Sequence, residues 1–348
     1  MEDFSRRVRA ECEDGGTYMR VLVTGGAGFI GSHYVRQALS GAYPTLVDAE
    51  VVVLDKLTYA GNRANLDPVA DSERLRFVEG DICDPEVVKA TMAGVDLVVH
   101  FAAESHVDRS ILGAADFVLT NVLGTQVLLQ AAVDAGVSRF VHVSTDEVYG
   151  SIDEGSWSES VLLEPNSPYS ASKASSDLIA RSYARTHGLP VSITRCSNNY
   201  GPYQFPEKVI PLFTTNLMDG EKVPLYGDGL NVRDWLHVDD HCRGIQLVAD
   251  GGRAGEIYNI GGGTELTNRE LTSLLLAATG TDESFVRPVI DRKAHDRRYS
   301  VDITKISTEL GYQPRVSFQD GLAATVAWYR DNRAWWEPLK NRAALPGS

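Results

Sequence analysis

The segment Val21-Leu22-Val23-Thr24-Gly25-Gly26-Ala27-Gly28-Phe29-Ile30-Gly31 passes from an apolar strand pattern through clustered glycines into a helical pattern reaching Leu39. Glycines at 25, 28 and 31 have a G-x-x-G-x-x-G spacing. Such a turn needs backbone angles that side chains disfavour, and it lets the main chain approach a pyrophosphate closely. The helix that follows offers free N–H groups and the positive end of its dipole to the same phosphates. A glycine string alone is a weak signal. Between a strand and a helix it predicts a dinucleotide site contacted by Gly25, Gly28, Phe29, Ile30 and Gly31.

Outward from this turn, strand and helix patterns alternate. Apolar runs at 51–54, 75–78, 97–99, 140–143 and 191–194 read as strands, and 116–135 and 169–186 as long helices. Repeated β-α units form a parallel sheet with helices on both faces and right-handed crossovers. The expected fold class is α/β, a Rossmann-type doubly wound parallel sheet over 19–196. From 197 to 330 proline and glycine become frequent, which suggests a smaller C-terminal mixed α/β substrate lobe with crossovers back to the sheet. Residues 1–18 read as a mobile tail and 331–348 as a surface tail.

The 348-residue chain is 43% hydrophobic and can bury a large core. No apolar run approaches the length that spans a bilayer, and the N-terminus lacks a signal-peptide apolar region, so a cytoplasmic protein without a membrane partner is expected. Cys12, Cys83, Cys196 and Cys242 show neither a Cys-x-x-Cys pair nor metal-ligand spacing, so reduced thiols and no metal are expected. A net charge of −14 argues against nucleic acid and requires any phosphorylated small ligand to find a locally basic site.

The strand ends carry the candidate chemistry. Asp55 closes the second strand, where a carboxylate bonds ribose hydroxyls and repels a 2′-phosphate, favouring NAD over NADP. Lys56 beside it would soften that repulsion. Asp81-Ile82 would flank the adenine, and Phe101-Ala102-Ala103 would line the cofactor with mostly small side chains. Tyr169 and Lys173 put a phenol and an ammonium on one helix face. That lysine, with a positive nicotinamide ring, would draw a tyrosine from its usual pKa of ~10 toward the working range. Ser144-Thr145-Asp146-Glu147-Val148-Tyr149-Gly150 follows the fifth strand, where open sheets bind ligands. Its adjacent carboxylates read either as an acidic turn or as an acid and a base whose pKa values are pushed apart.

Glycine turn, Ser-Thr pair and Tyr-x-x-x-Lys together resemble the extended short-chain dehydrogenase/reductases. Within them, five strings are similar to the dTDP-glucose 4,6-dehydratases, and the similarity runs over 19–330. These are Asp55-Lys56-Leu57-Thr58-Tyr59-Ala60-Gly61-Asn62, Ala102-Ala103-Glu104-Ser105-His106-Val107-Asp108-Arg109-Ser110, the Ser144 to Gly150 string, Cys196-Ser197-Asn198-Asn199-Tyr200-Gly201-Pro202 and His295-Asp296-Arg297-Arg298-Tyr299.

The resemblance implies a tightly bound NAD+ regenerated each turnover, a dTDP-glucose substrate, and a 4-keto-6-deoxy product formed with loss of water. It implies that Tyr169 takes the C4 hydroxyl proton with Thr145 on the same oxygen, that Glu147 takes the C5 proton, and that Asp146 donates to the departing C6 hydroxyl. It adds Leu57, Thr58, Ser105, Thr120, Ser144 and Asn199 to the cofactor side. For the nucleotide sugar it implies Ser105, Asn198, Lys208, Val209, Arg233, Asn268, His295, Arg297, Arg298 and Tyr299, with Pro224, Leu225 and Tyr226 at the base. It also implies a homodimer in which the helices 116–135 and 169–186 of two subunits form a four-helix interface. A nucleotide-sugar 4-epimerase or decarboxylase on this fold would share the glycine turn and Tyr-x-x-x-Lys but should lack the Asp-Glu pair. A non-catalytic NAD-sensing protein would tolerate loss of Tyr169 or Lys173.

Overall fold

The computed structural model describes residues 18–291 and 295–343. The tail expected over 1–18 lies outside the described residues except for Tyr18. Twelve strands are present among the described residues: β1 (Arg20–Thr24), β2 (Glu50–Asp55), β3 (Leu75–Glu79), β4 (Leu97–His100), β5 (Arg139–Thr145), β6 (Val191–Cys196), β7 (Asn198–Tyr200), β8 (Val223–Tyr226), β9 (Val232–His237), β10 (Ile257–Ile260), β11 (Glu265–Thr267) and β12 (Val286–Val289). The helices are α1 (Phe29–Leu39), α2 (Pro85–Met92), α3 (Val107–Leu112), α4 (Ala115–Ala135), α5 (Pro168–His187), α6 (Val209–Met218), α7 (Val238–Gly251), α8 (Asn268–Thr279), α9 (Thr304–Leu310), α10 (Phe318–Asp331) and α11 (Arg333–Ala343).

Seven strands form one parallel sheet in the order β10-β6-β5-β4-β1-β2-β3. Its central strands are apolar runs because helices cover both faces: Val21, Leu22, Val23, Val51, Val53, Leu54, Val98 and Val99 are fully buried. Each such side chain contributes roughly 1.5–3 kcal/mol relative to exposure. The order reverses between β1 and β4, which opens a crevice at the carboxyl ends of those strands, the usual ligand position in such sheets. The smaller lobe contains β11-β9-β7 and the parallel pair β8-β12. It is not a separate bead on the chain. β10 returns to the main sheet, and Val238, Ile245, Tyr258, Ile306 and Tyr312 share a core with β1, β2 and α1.

Three differences from the sequence reading have physical causes. The helix expected over 116–135 is present, but Val118–Gly124 is a π-helical segment. There Asn121 accepts from the Glu104 N–H at 2.9 Å and donates to the Glu104 carbonyl at 3.0 Å and to Ser172 Oγ at 2.8 Å, tying the helix to the cavity wall and to α5. By length (21 residues) and hydropathy (1.3) this same helix is long and apolar enough to cross a membrane, contrary to the expectation that nothing approaches that range. Its buried polar bonds, including His100 Nε2 to Thr125 Oγ1 at 2.9 Å, place it against the sheet. Finally, residues 331–343 are not the surface tail expected over 331–348, whose last five residues lie outside the described residues. α11 follows α10, with Trp335 closing an aromatic cluster with Trp328 and Tyr203 while Trp336 is fully buried and its Nε1 donates to the Tyr329 carbonyl at 2.6 Å.

Candidate active site

The glycine turn is shaped as its spacing requires. Gly25 has φ of +68°, and a Cβ there would lie 2.6 Å from the Ala102 nitrogen. At Gly31 a Cβ would lie 2.3 Å from the Gly25 carbonyl oxygen, so the helix start packs against the turn only without a side chain. Asp55 accepts from the Ala27 N–H at 2.9 Å and the Leu57 N–H at 2.8 Å, each oxygen retaining a lone pair. Burial raises its pKa despite those two bonds. Lys56 is paired with Asp81 at 2.7 Å, so its charge is largely spent locally.

A cavity of about 650 Å³ opens along this turn. All the cofactor candidates line it except Leu57, whose positive φ of 53° turns it aside while its N–H serves Asp55. The catalytic candidates Thr145, Asp146, Glu147, Tyr169 and Lys173 line its inner end. A second cavity of about 220 Å³ adjoins it through Glu147, Asn198, Asn199, Gln204, Glu207 and Lys208, and contains Val209, Pro224, Leu225, Tyr226, Arg233, Asn268, His295 and Tyr299. Two buried oxygens, Ser144 Oγ in the first cavity and Asn198 Oδ1 where the two meet, have no hydrogen-bond partner among the described residues. The long cavity, the glycine cradle and a ribose-competent carboxylate fit a dinucleotide, and the unspent polar atoms lie where its reactive end would meet a substrate.

Local sequence explains the placement of the reactive groups. Ser167 and Ser170 form a capping box with Pro168 at the first helical position, which fixes Tyr169 in the first turn of α5. Lys173 Nζ donates to the Val143 carbonyl at 2.8 Å. Burial lowers Lys173 to about 8. The expected lowering of Tyr169 by its lysine is not what the chain alone produces: burial first, then Glu147 and Cys196, hold the phenol well above its usual value, with the Thr145 hydroxyl opposing. Asp146 begins a 3₁₀ turn after β5, is 2% exposed, and is raised well above the carboxylate range by burial, then by Glu147 and Asp234. It is an acid in waiting beside a second carboxylate.

Two expected phosphate ligands stand apart. Arg297 binds Asp228 at 2.9 Å, and Arg298 forks onto Glu265 at 2.7 and 2.8 Å and donates to the Gly155 carbonyl; neither lines either of these two cavities. Arg233 does, held by the Val232 and Asp296 carbonyls with its guanidinium 4.2 Å over the Tyr299 ring. Lys208 Nζ donates to the Ser105 carbonyl at 2.9 Å. Sequence reasoning missed Glu104, Gln204, Phe205, Glu207 and Asp296 as lining residues. Glu207 directly precedes Lys208, yet nothing in its spacing announces a carboxylate buried beside Arg109 at 3.4 Å.

A dinucleotide crevice continuous with a second, cation-bearing cavity, and a Tyr–Lys pair facing two carboxylates, define a nucleotide-sugar enzyme of the extended short-chain dehydrogenase/reductase class. The family model described as GDP-mannose 4,6 dehydratase matches residues 22–325. The dTDP-glucose 4,6-dehydratase of Streptomyces niveus is 63% identical over 330 residues, 95% of this chain and 98% of that protein. That of Streptomyces antibioticus is 64% identical over 331 residues, 95% and 98% of the two chains. The crystal structure of dTDP-glucose 4,6-dehydratase from Streptomyces venezuelae, with NAD and a thymidine nucleotide bound, is 71% identical and superposes with a TM-score of 0.92 over 92% of this chain and 100% of that one. The chain belongs to the dTDP-glucose 4,6-dehydratase family.

Proposed function

We infer that this chain is an NAD-dependent hydro-lyase that converts dTDP-glucose to dTDP-4-keto-6-deoxyglucose and water. The observation that carries this reading is the pairing of Asp146, buried and with its pKa raised by burial and by Glu147, with that same Glu147 in the cavity that holds Tyr169. Bound NAD+ supplies the hydride acceptor for C4 and the hydride donor for C6. Gly25, Gly28 and Gly31 bring backbone to its pyrophosphate, and Asp55 takes its ribose hydroxyls.

Tyr169 removes the C4 hydroxyl proton, with Thr145 bonding the same oxygen and Lys173 stabilising the phenolate by its charge. The resulting C4 ketone acidifies the C5 hydrogen and provides the electron sink for the next step. Glu147 accepts the C5 proton while Asp146 gives its proton to the C6 hydroxyl, so the C6–O bond breaks and water leaves. An acid and a base acting together on neighbouring carbons need two carboxylates in unlike states. Glu147 later returns a proton to C5. Arg233 and Lys208 hold the nucleotide diphosphate together with Arg297 and Arg298, Asn198 and Asn268 make polar substrate contacts, and Pro224, Leu225 and Tyr226 bracket the base.

The homodimer reading is supported by exposed apolar residues on the two expected helices: Val118 and Leu123 on α4 and Leu178 on α5. Scattered among polar neighbours, they suit a self-complementary helical face in a cytoplasmic protein. Turnover of dTDP-, UDP- and GDP-glucose measured side by side tests the function. The highest kcat/KM should fall to dTDP-glucose with a 4-keto-6-deoxy product; C4-epimerised sugar without dehydration would overturn the reading.

A further inference from the structure

One face of α5 carries Tyr169, Lys173 and Asp177 at four-residue spacing, and all three are buried, at 8%, 4% and 0% exposure. Asp177 is gripped from the sheet. Its Oδ2 accepts from Arg195 Nε on β6 at 2.8 Å, and its Oδ1 lies 3.3 Å from His142 Nε2 on β5. Arg195 stacks 4.7 Å over the Tyr149 ring. The residue after His142 is Val143, whose carbonyl receives the Lys173 ammonium. The chemistry above uses Tyr169 and Lys173 but not Asp177, Arg195 or His142. A buried ion pair is also weak evidence of a stability device, because desolvation offsets much of its attraction.

We propose that Asp177, clamped between His142 and Arg195, is a positioning residue that keeps Lys173 in its ammonium form beneath Tyr169. This rests on the assignment of Tyr169 and Lys173 as the oxidation pair. The groups facing Lys173 are Tyr169 and Asp177 on its own helix, His100 on β4, His142 on β5, Cys196 and Arg195 on β6, and Asp146 and Glu147 on the turn after β5. Burial depresses Lys173, and Asp177 is the strongest influence against that depression. Burial would protonate Asp177, but Arg195 and then His142 outweigh it and hold the carboxyl at about 2, so its charge is constant across the working range. His142 is depressed to about 4 by burial and by Lys173, so it adds no positive charge at neutral pH.

The sign of each perturbation follows. Asp177→Asn removes the anion and should lower the Lys173 pKa by about 1 pH unit or more. Asp177→Glu keeps the anion and should leave the Lys173 pKa near its wild-type value. The test is NMR titration of lysine labelled with 13C at Cε in NAD-containing protein, the Lys173 signal being identified by its absence in Lys173→Met. The pH dependence of cofactor reduction by dTDP-glucose is followed in parallel, and its alkaline limb should move with the Lys173 signal, downward in Asp177→Asn and back toward wild type in Asp177→Glu. A merely structural role would lower yield or turnover without separating the Lys173 signals of the two variants. An unmoved signal and limb in active Asp177→Asn would overturn the inference. If Asp177→Asn does not fold, Asp177→Ser takes its place: a downward shift supports the inference, an unmoved or upward one refutes it. Wild-type protein that fails to reduce its cofactor with dTDP-glucose would instead refute the functional assignment.

Discussion

Thr145 Oγ1 donates to Asp146 Oδ1 over 3.2 Å, and the other oxygen of that buried carboxyl has no hydrogen-bond partner among the described residues. A charged carboxylate left in this state would lose solvation with little in return, by roughly 1–3 kcal/mol or more for an unmet bond. The neutral acid suffers far less. Burial and Glu147 act in the same direction, which suits Asp146 to its proposed role as proton donor.

Asp146→Asn keeps the shape and removes the proton. Elimination should slow about 10²–10⁴-fold, the usual worth of a general acid. Cofactor reduction should remain visible by its absorbance in a single turnover. Loss of both would mean that Asp146 serves the oxidation as well. In the wild type, elimination should fall as pH rises through the raised Asp146 pKa. The same sign holds for stability, since a group whose pKa is raised on folding stabilises most at low pH and loses that contribution as pH rises through the folded value.

Gly31→Ala should strip the cofactor from otherwise folded protein. Its Cβ would sit 2.3 Å from the Gly25 oxygen, so the turn must shift away from the geometry that receives a pyrophosphate. A displacement costing about 1.4 kcal/mol of binding weakens affinity tenfold. NAD released on denaturing equal amounts of wild type and variant gives the measurement, and equal content would contradict the assigned cradle.

Arg233 and Arg297 should separate cleanly. Arg233→Ala removes a buried cation from the second cavity and should raise KM for dTDP-glucose at least tenfold, in keeping with the ~1.5–3 kcal/mol of a hydrogen bond to a charged group. Arg297→Ala removes an exposed cation paired with Asp228, so KM should rise less than in Arg233→Ala and thermal stability should stay near wild type. Steady-state kinetics on the two variants decides whether the diphosphate lies over Arg233.

The sequence made the sheet and its ligand edge legible because both are written in local pattern. The strand–glycine–helix segment, the apolar strands and the Tyr169–Lys173 pair each depend on residues close in the chain. What it hid depends on distant contacts. Nothing local to Arg298 announces that Glu265, from β11, occupies its fork. Glu207 becomes part of the site only when burial brings it between the two cavities. After 330 the inward turn of the two tryptophans rests on contacts with other segments: Trp335 meets Trp328 at 5.1 Å between ring centroids, and the buried Trp336 donates to the Tyr329 carbonyl.

Trp336→Ala tests that last packing. Removing a fully buried indole should destabilise the fold by about 3–5 kcal/mol, read from the midpoint of urea unfolding. A shift of a few tenths of a kcal/mol would mean that α11 is a loosely attached appendage.

The central claim is that water leaves across C5 and C6 through Asp146 and Glu147, and the most direct test is turnover of dTDP-glucose in D2O with the product examined by NMR. Proton return to C5 from a solvent-exchanged Glu147 predicts a 4-keto-6-deoxy sugar carrying deuterium at C5. A dehydrated product with protium at C5, or a sugar altered only at C4, would contradict it.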